Sequence, residues 1–236
     1  MMTGRYRFAD KIVEVHSLFE QVHLYCKDYQ TDGPYDFAVE ITEDDIGYER
    51  ARAEQGNNSD AYLEELAVYR KISEKMPEYD TILFHGSAIA VDGKAYLFTA
   101  PSGTGKSTHT ALWRKLLGDK AVMVNDDKPL IRIGDEVTIF GTPYAGKHRL
   151  STDIAVPLKA ICILERSSDN HIEKITRAEA YPAIMQQVYR PNDISALQKT
   201  LDLIDRMSGR IEFYRLGCNM DISAAKVSYE FMSGCS

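Results

Sequence analysis

The sequence predicts an α/β protein of α+β character, with a mixed, hairpin-rich sheet flanked by helices. Three observations carry this expectation. "GSAIAV" and "KAYLFT" flank Asp92-Gly93, a pair suited to the two positive φ angles of a tight hairpin turn. "AYLFTA" leads into the glycine-rich "PSGTGKS", which leads into the helical "STHTALWRKLLG". In the C-terminal part, apolar residues recur at helical spacing.

A chain of 236 residues suits one large domain, or a core domain with an accessory segment. We divide it into a small N-terminal α/β segment, 1–78, and a main domain, 79–236. Lys and Arg number 28 against 35 Asp and Glu, a net charge of -7, which argues against a nucleic-acid partner. "MMTGRYRFADKIVEVHS" lacks the apolar stretch of a signal peptide, and no membrane-length apolar run occurs. A cytoplasmic protein without a membrane partner is expected; a homo-oligomer is left open. Cys26, Cys162, Cys218 and Cys235 are scattered, which suggests buried thiols and neither a disulfide framework nor a zinc site.

In chain order, "RYRFADKIVEV" reads as β-like, "FEQVHLYCKDY" as helical and "YDFAVEI" as β-like. After the polar break "EQGNNSD", Tyr62, Leu66, Tyr69 and Met76 predict an amphipathic helix ending near Pro77. Glu64, Glu65, Arg70 and Lys71 read as its solvated face, and the segment shows no chemistry. The Asp92-Gly93 turn sets Val91 opposite Lys94 and, continued along the ladder, His85 opposite Ala100. A second hairpin, "PLIRI" and "EVTIF", turns at Gly134-Asp135, and "LKAICILE" and "HIEKIT" flank the turn-rich "RSSDN". Thr176 and Glu179 have capping-box spacing, with which Pro182 conflicts by lying deep in the helix. Ile194, Leu197, Leu201 and Ile204 share a face, capped by Asn192 or Asp193 and stopped by Gly209. "RIEFYRL" is a final strand and "DISAAKVSYEFM" a closing helix.

The glycine loop is the most specific signal. Backbone N–H groups from Ser102, Gly103, Thr104 and Gly105, followed by a helix starting at Lys106, Ser107 and Thr108, converge on an anion. Lys106 is placed to reach the β/γ-phosphates of a nucleotide and the Ser107 hydroxyl to hold Mg²⁺. Ala100 stands where such loops begin with glycine. Pro101 makes it extended, as the last residue of the strand, so no glycine is needed there. The next apolar run, "AVMVN", ends in Asp126-Asp127, carboxylates that phosphoryl transfer needs for metal and for base. Both serve one site only if the chain turns there. The hairpin register sets His85 beside the loop, and Ser87, two residues on, reads as structural. In "GTPYAGKHRL", Lys147 and Arg149 are candidates to bind the nucleotide's phosphates or an anionic acceptor, with Lys147 ahead of Arg149 and His148.

"HGSAIAVDGKAYLFTAPSGTGKST" followed by "VNDDKPLI" resembles the C-terminal catalytic domain of HPr kinase/phosphorylase. More distantly it is similar to the nucleotide-binding core of ATP-dependent phosphoenolpyruvate carboxykinase, as is "FGTPYAGK". The likeness is greatest to compact HPr kinase-like proteins found beside peptide-modification genes. Motif matches run from about Phe84 to Leu164. The resemblance implies that 79–236 is an HPr kinase-like catalytic domain with a phosphoenolpyruvate-carboxykinase-like P-loop fold, using ATP and Mg²⁺. By position, Lys106 and Ser107 bind phosphate and metal, Asp126 is the base, Asp127 the metal-associated carboxylate, and His85 lies near the transferred phosphoryl group. The C-terminal signature with which HPr kinases grip their substrate has no counterpart here, which argues against HPr as the acceptor.

These readings point to an ATP-dependent kinase, with a serine-like hydroxyl of a peptide, small protein or small molecule as acceptor. A guanylate-like nucleoside monophosphate kinase is the enzyme alternative, though in that family the loop follows the first strand. The third alternative, a nucleotide-binding regulatory protein without catalysis, has no need for the base.

Overall fold

The computed structural model describes residues 1–53 and 58–234. Residues 54–57 of the polar break, and Cys235, lie outside the described residues.

Strands β1 (Met2–Phe8) and β2 (Lys11–Ser17) pair antiparallel and β3 (Phe37–Glu40) joins β2 in parallel. The single β-like run "RYRFADKIVEV" is therefore a hairpin. Its turn is Ala9-Asp10, with φ of 49° and 61°, and an alanine at the first of two positive-φ positions carries no turn signal. Helix α1 (Gln21–Tyr25) is short. Helix α2 (Glu43–Arg52) starts at a capping box between Thr42 and Asp45; "TEDD" was its overlooked signal. Helix α3 (Asp60–Lys75) stops before Pro77, as its periodicity predicts.

The solvated face expected on α3 is not solvated. Glu64 is fully buried and Glu65 nearly so. The Glu64 carboxylate accepts the backbone N–H groups of Leu18 and Phe19 at 2.5 and 3.0 Å, and Glu65 accepts the Gln21 amide at 2.6 Å. Arg70 pairs with Glu49 and Asp45, and Lys71 with Asp45 and the Glu40 carbonyl. Helices α1 and α2 both pack on α3, so these charges meet partners brought from far along the chain.

The main sheet follows. Strand β4 (Thr81–Leu83) precedes the hairpin of β5 (Ser87–Val91) and β6 (Lys94–Thr99), after which come α4 (Lys106–Leu117) and β7 (Ala121–Asn125). Then come β8 (Leu130–Ile133), β9 (Val137–Phe140), β10 (Ala155–Arg166) and β11 (His171–Ile175). Helices α5 (Arg177–Gln187) and α6 (Ile194–Ser208), strand β12 (Glu212–Cys218) and helix α7 (Ile222–Ser233) complete the fold.

Strand β10 organises the sheet. Its first residues pair antiparallel with β9, and its remainder pairs in parallel with β6 on one side and β12 on the other. The order β4-β8-β9-β10-β6-β5-β7, with β12 and β11 branching from β10, is the mixed sheet expected. Alternation sorts its residues into two cores. Ala88, Leu97, Ile161 and Ile163 meet Ile184 of α5 and Leu203 and Met207 of α6. Ile89, Phe98, Cys162 and Leu164 meet Trp113 of α4 and Ala225 and Met232 of α7. A third cluster joins α3 and the first sheet to Leu83, Leu130, Phe140 and Tyr144.

Several local readings are corrected. The β8–β9 turn has three residues, because Ile133 pairs with Val137. A two-residue turn at Gly134-Asp135 would set Ile133 opposite Glu136 and move the apolar face. Strands β10 and β11 do not pair; β12 lies between them. The capping box of Thr176 and Glu179 forms, and Pro182 is accommodated inside α5. On α6, Asp193 is the cap and Gly209 the stop, but Ile194 is 73% exposed and the buried face is Thr200, Leu203, Ile204 and Met207. Strand β6 ends at Thr99, one residue before Ala100. Cys26 and Cys162 are buried free thiols, while Cys218 is only partly buried.

Replacing the fully buried Glu64 with Ala takes away the acceptor of the Leu18 and Phe19 N–H groups. Urea unfolding should show a loss of about 2–4 kcal/mol, whereas a solvated glutamate would cost almost nothing.

Candidate functional site

Strand β6 delivers the chain into the glycine loop and α4 carries it away, with Gly105 as N-cap. Gly103 and Gly105 have φ of +76° and +122°, a region that side chains resist. Ala100 needs no such freedom. Its side chain is buried with Phe98 and Trp113, and its carbonyl accepts the Lys106 ammonium at 3.0 Å. Lys106 is only 8% exposed. Burial pulls its pKa down, against the upward pull of Asp127 and Asp126. Arg166 braces the loop by donating to the Gly103 carbonyl at 2.6 Å.

The turn that brings both carboxylates to the loop is made by Asn125. Its side-chain oxygen accepts the N–H groups of Asp127 and Lys128 at 2.8 and 2.7 Å, a side-chain-closed turn of the Asx kind. Its amide donates to the carbonyl and hydroxyl oxygens of Thr142, both at 3.0 Å. Asp126 and Asp127 thus leave the strand ladder and line one cavity, which meets the condition the sequence set. Asn125 was missed, although an Asn before two Asp at a strand end is a turn signal.

The two carboxylates differ. Asp126 is 6% exposed and accepts the Ser87 hydroxyl at 2.6 Å. Burial raises its pKa, with hydrogen bonds from Ser87 and Ser107 opposing. For Asp127 burial also pushes upward, but the hydrogen bond to His85 and the charges of Lys128 and Lys106 win, and its pKa is lowered. Ser87 has the structural place the sequence suggested, and it ties Asp126 to α4 through Thr110, 2.8 Å away.

The β5–β6 ladder has the expected register but ends at Ser87 opposite Phe98, so His85 does not pair with Ala100. The His85 N–H instead bonds the Gln187 carbonyl at 2.8 Å, because the chain has moved to α5. Its ring still reaches the site, with Nδ1 2.8 Å from Gln187 Oε1 and Nε2 3.3 Å from Asp127 Oδ1.

A cavity of about 420 Å³ gathers His85, Ser102, Gly103, Gly105, Lys106, Ser107, Thr108, Asp126, Asp127, Lys147 and His148. Of the sequence candidates, Thr104 is absent from this wall and lines a neighbouring cavity with Leu112, Cys218 and Met220. Arg149 lies outside it, with its guanidinium 4.9 Å from the Tyr25 ring centroid. Gly146, at φ +67°, lets the 144–149 loop approach: a Cβ there would stand 3.1 Å from Asp127 Cβ. Among the described residues no group of three or more His, Cys, Asp or Glu is arranged to hold a metal, and no helix is long and apolar enough to cross a membrane. The Ser107 hydroxyl and two carboxylates form an oxygen donor set that fits a hard cation shared with phosphates, a mode needing only one or two carboxylates.

The family model described as SynChlorMet cassette protein ScmC matches residues 57–222. No curated protein matches the chain. Among solved structures, the chain is similar to the HPr(Ser) kinase/phosphatase from Coxiella burnetii at 12% identity, over 53% of this chain and 96% of that one, with a TM-score of 0.29.

The backbone angles separate two glycine-loop substitutions. On the nucleotide-binding reading proposed below, a titration with Mg-ATP should show Ala100→Gly shifting affinity by less than about threefold, since it removes one methyl group from a packed wall. Gly105→Ala forces an L side chain to φ +122° and should weaken binding by about tenfold or more.

Proposed function

The chain belongs to the SynChlorMet cassette protein ScmC family, and we propose that it acts as an ATP-dependent kinase on a serine-like hydroxyl. One observation carries this reading. A single cavity combines a glycine loop at a helix N-terminus, a buried lysine, a metal-competent hydroxyl and two carboxylates of opposite pKa tendency. The finer assignment, a phosphoenolpyruvate-carboxykinase-like P-loop, is supported by the strand–loop–helix passage and by the Asp pair at the end of β7, the next strand in the chain, which β5 separates from β6 in the sheet.

In this reading the loop amides and Lys106 bind the β- and γ-phosphates, and Ser107 and Asp127 hold Mg²⁺. Mg-ATP supplies the phosphoryl group and part of the charge neutralisation. Asp126, the more basic carboxylate, takes the acceptor's proton as the hydroxyl oxygen bonds to the γ-phosphorus and the bond to ADP breaks. Lys106 and the loop N–H groups stabilise the charge on the equatorial oxygens. His85 holds the Asp127 carboxylate and faces the transferred group, and Lys147 closes the cavity over the phosphates.

One observation favours exchanging the carboxylates. Ser107 bonds Asp126, while Asp127 borders a second cavity as well as the first. The two assignments separate in one experiment. With Asp126 as base, Asp126→Asn should lower transfer from labelled ATP by at least about a hundredfold while sparing Mg-ATP affinity, and Asp127→Asn should weaken that affinity. The opposite pattern exchanges the roles. Full turnover in both variants, read by mass spectrometry of the acceptor, would remove both carboxylates from the chemistry, and absence of transfer by the unaltered protein would remove the kinase reading.

The Ser87 hydrogen bond lowers the Asp126 pKa, so its loss raises that pKa further and leaves less carboxylate anion at a given pH. In the Ser87→Ala variant the acid limb of the rate–pH profile should therefore move to higher pH, with Mg-ATP affinity little changed.

A further inference from the structure

A second cavity of about 450 Å³ adjoins the first and shares Asp127, Gly146 and Lys147 with it. Its far wall comes from the N-terminal segment: Gln21 and Tyr25 of α1, and Tyr62, Glu65 and Leu66 of α3. That volume suits a small molecule or one or two residues of a peptide, not a helix or folded domain.

The charges of this wall are specific. Lys128, Lys147 and Arg149 line it against two carboxylates, Glu65 and Asp127. Asp127 is engaged by His85, and Glu65 is nearly buried and bonded by Gln21. Among the described residues, neither Lys147 nor Arg149 has a carboxylate within ion-pair distance, although the Arg149 charge reaches Glu65 from further off and opposes the upward pull of burial on that carboxyl's pKa. The Arg149 guanidinium lies on the Tyr25 ring, and Tyr25 packs edge-on against Tyr144, which stacks on Tyr69 at 3.7 Å. A guanidinium stacked on a supported ring is pre-oriented and keeps its N–H fork free for a planar anion. Its backbone sits at φ +48°, a conformation that is uncommon outside glycine and clusters at ligand clamps. Arg149 lines this cavity and not the glycine-loop cavity, so its fork is not directed at the nucleotide's phosphates.

We propose that this cavity is the acceptor site, and that it takes a hydroxyl compound bearing a carboxylate close to the hydroxyl, gripped by Arg149. The inference rests on the kinase reading. The carboxylate docks on the Arg149 fork with the aromatic wall behind it, and the hydroxyl projects past Asp127 and Lys147 toward the γ-phosphoryl group. The same chemistry is offered by a free hydroxy acid and by a serine beside an acidic residue in a peptide.

Both sources are tested in matched pairs: glycerate against glycerol, and a serine octapeptide with flanking glutamates against one with flanking glutamines. Calorimetric binding to the protein with Mg-ADP, and transfer from labelled ATP, are read for each. The acidic member of at least one pair should bind about tenfold or more tightly than its neutral partner. Arg149→Gln, with its thermal unfolding checked, should erase that preference through binding or KM. The pair that shows the preference identifies the source. Equal binding within both pairs, no binding by any of the four, or a preference that survives in Arg149→Gln overturns the inference. Preference without transfer removes the kinase reading and leaves an anion pocket, whereas transfer without preference removes the acceptor inference alone.

Discussion

Asn125 is the constraint on which the candidate site depends. It is fully buried at the end of β7, where a polar side chain needs every hydrogen bond it can make. It makes four, two to the backbone ahead and two to Thr142. The first two turn the chain so that Asp126 and Asp127 face the glycine loop together. The second two anchor the segment that continues into the 144–149 loop. Around the turn, the Asp126 N–H bonds the Leu150 carbonyl and the Asp127 carbonyl accepts the Gly86 N–H. Strand end, basic loop and histidine are therefore held by one connected network.

That network sets the electrostatics. Two carboxylates next to each other in sequence titrate in opposite directions because their partners differ. Asp126 is buried against hydroxyl groups, and Asp127 faces an imidazole and two ammonium groups. Hydroxyl donors stabilise an anion less than full charges do, so burial prevails at one residue and not at the other. Diverging carboxylates of this kind can divide the work of proton acceptor and permanent anion.

The N-terminal segment was the least legible part of the chain. Its α3 charges read as solvated because sequence periodicity records which residues share a face, not what covers that face. Glu64 and Glu65 are buried because the stretch from Leu18 to Gln21 and α1 fold back onto α3. Arg149 and Tyr25 likewise lie far apart in sequence and meet only in the folded chain. The Ala9-Asp10 hairpin escaped notice for a different reason: the first of its two positive φ angles falls on an alanine, which does not usually adopt one.

Local chemistry decided what the sequence could decide. The Asp92-Gly93 turn, the glycine loop between a strand and a helix, the caps at Thr176 and Asp193 and the stop at Gly209 act within a few residues, so each is written where it operates. The mixed sheet with helices follows from those signals together. Tertiary structure alone decided where β12 inserts, how far the His85 ladder runs, which α6 face is buried and how the two Asp residues come to differ. Each of these depends on contacts across the chain, where burial and opposing charge act between groups that no local pattern connects.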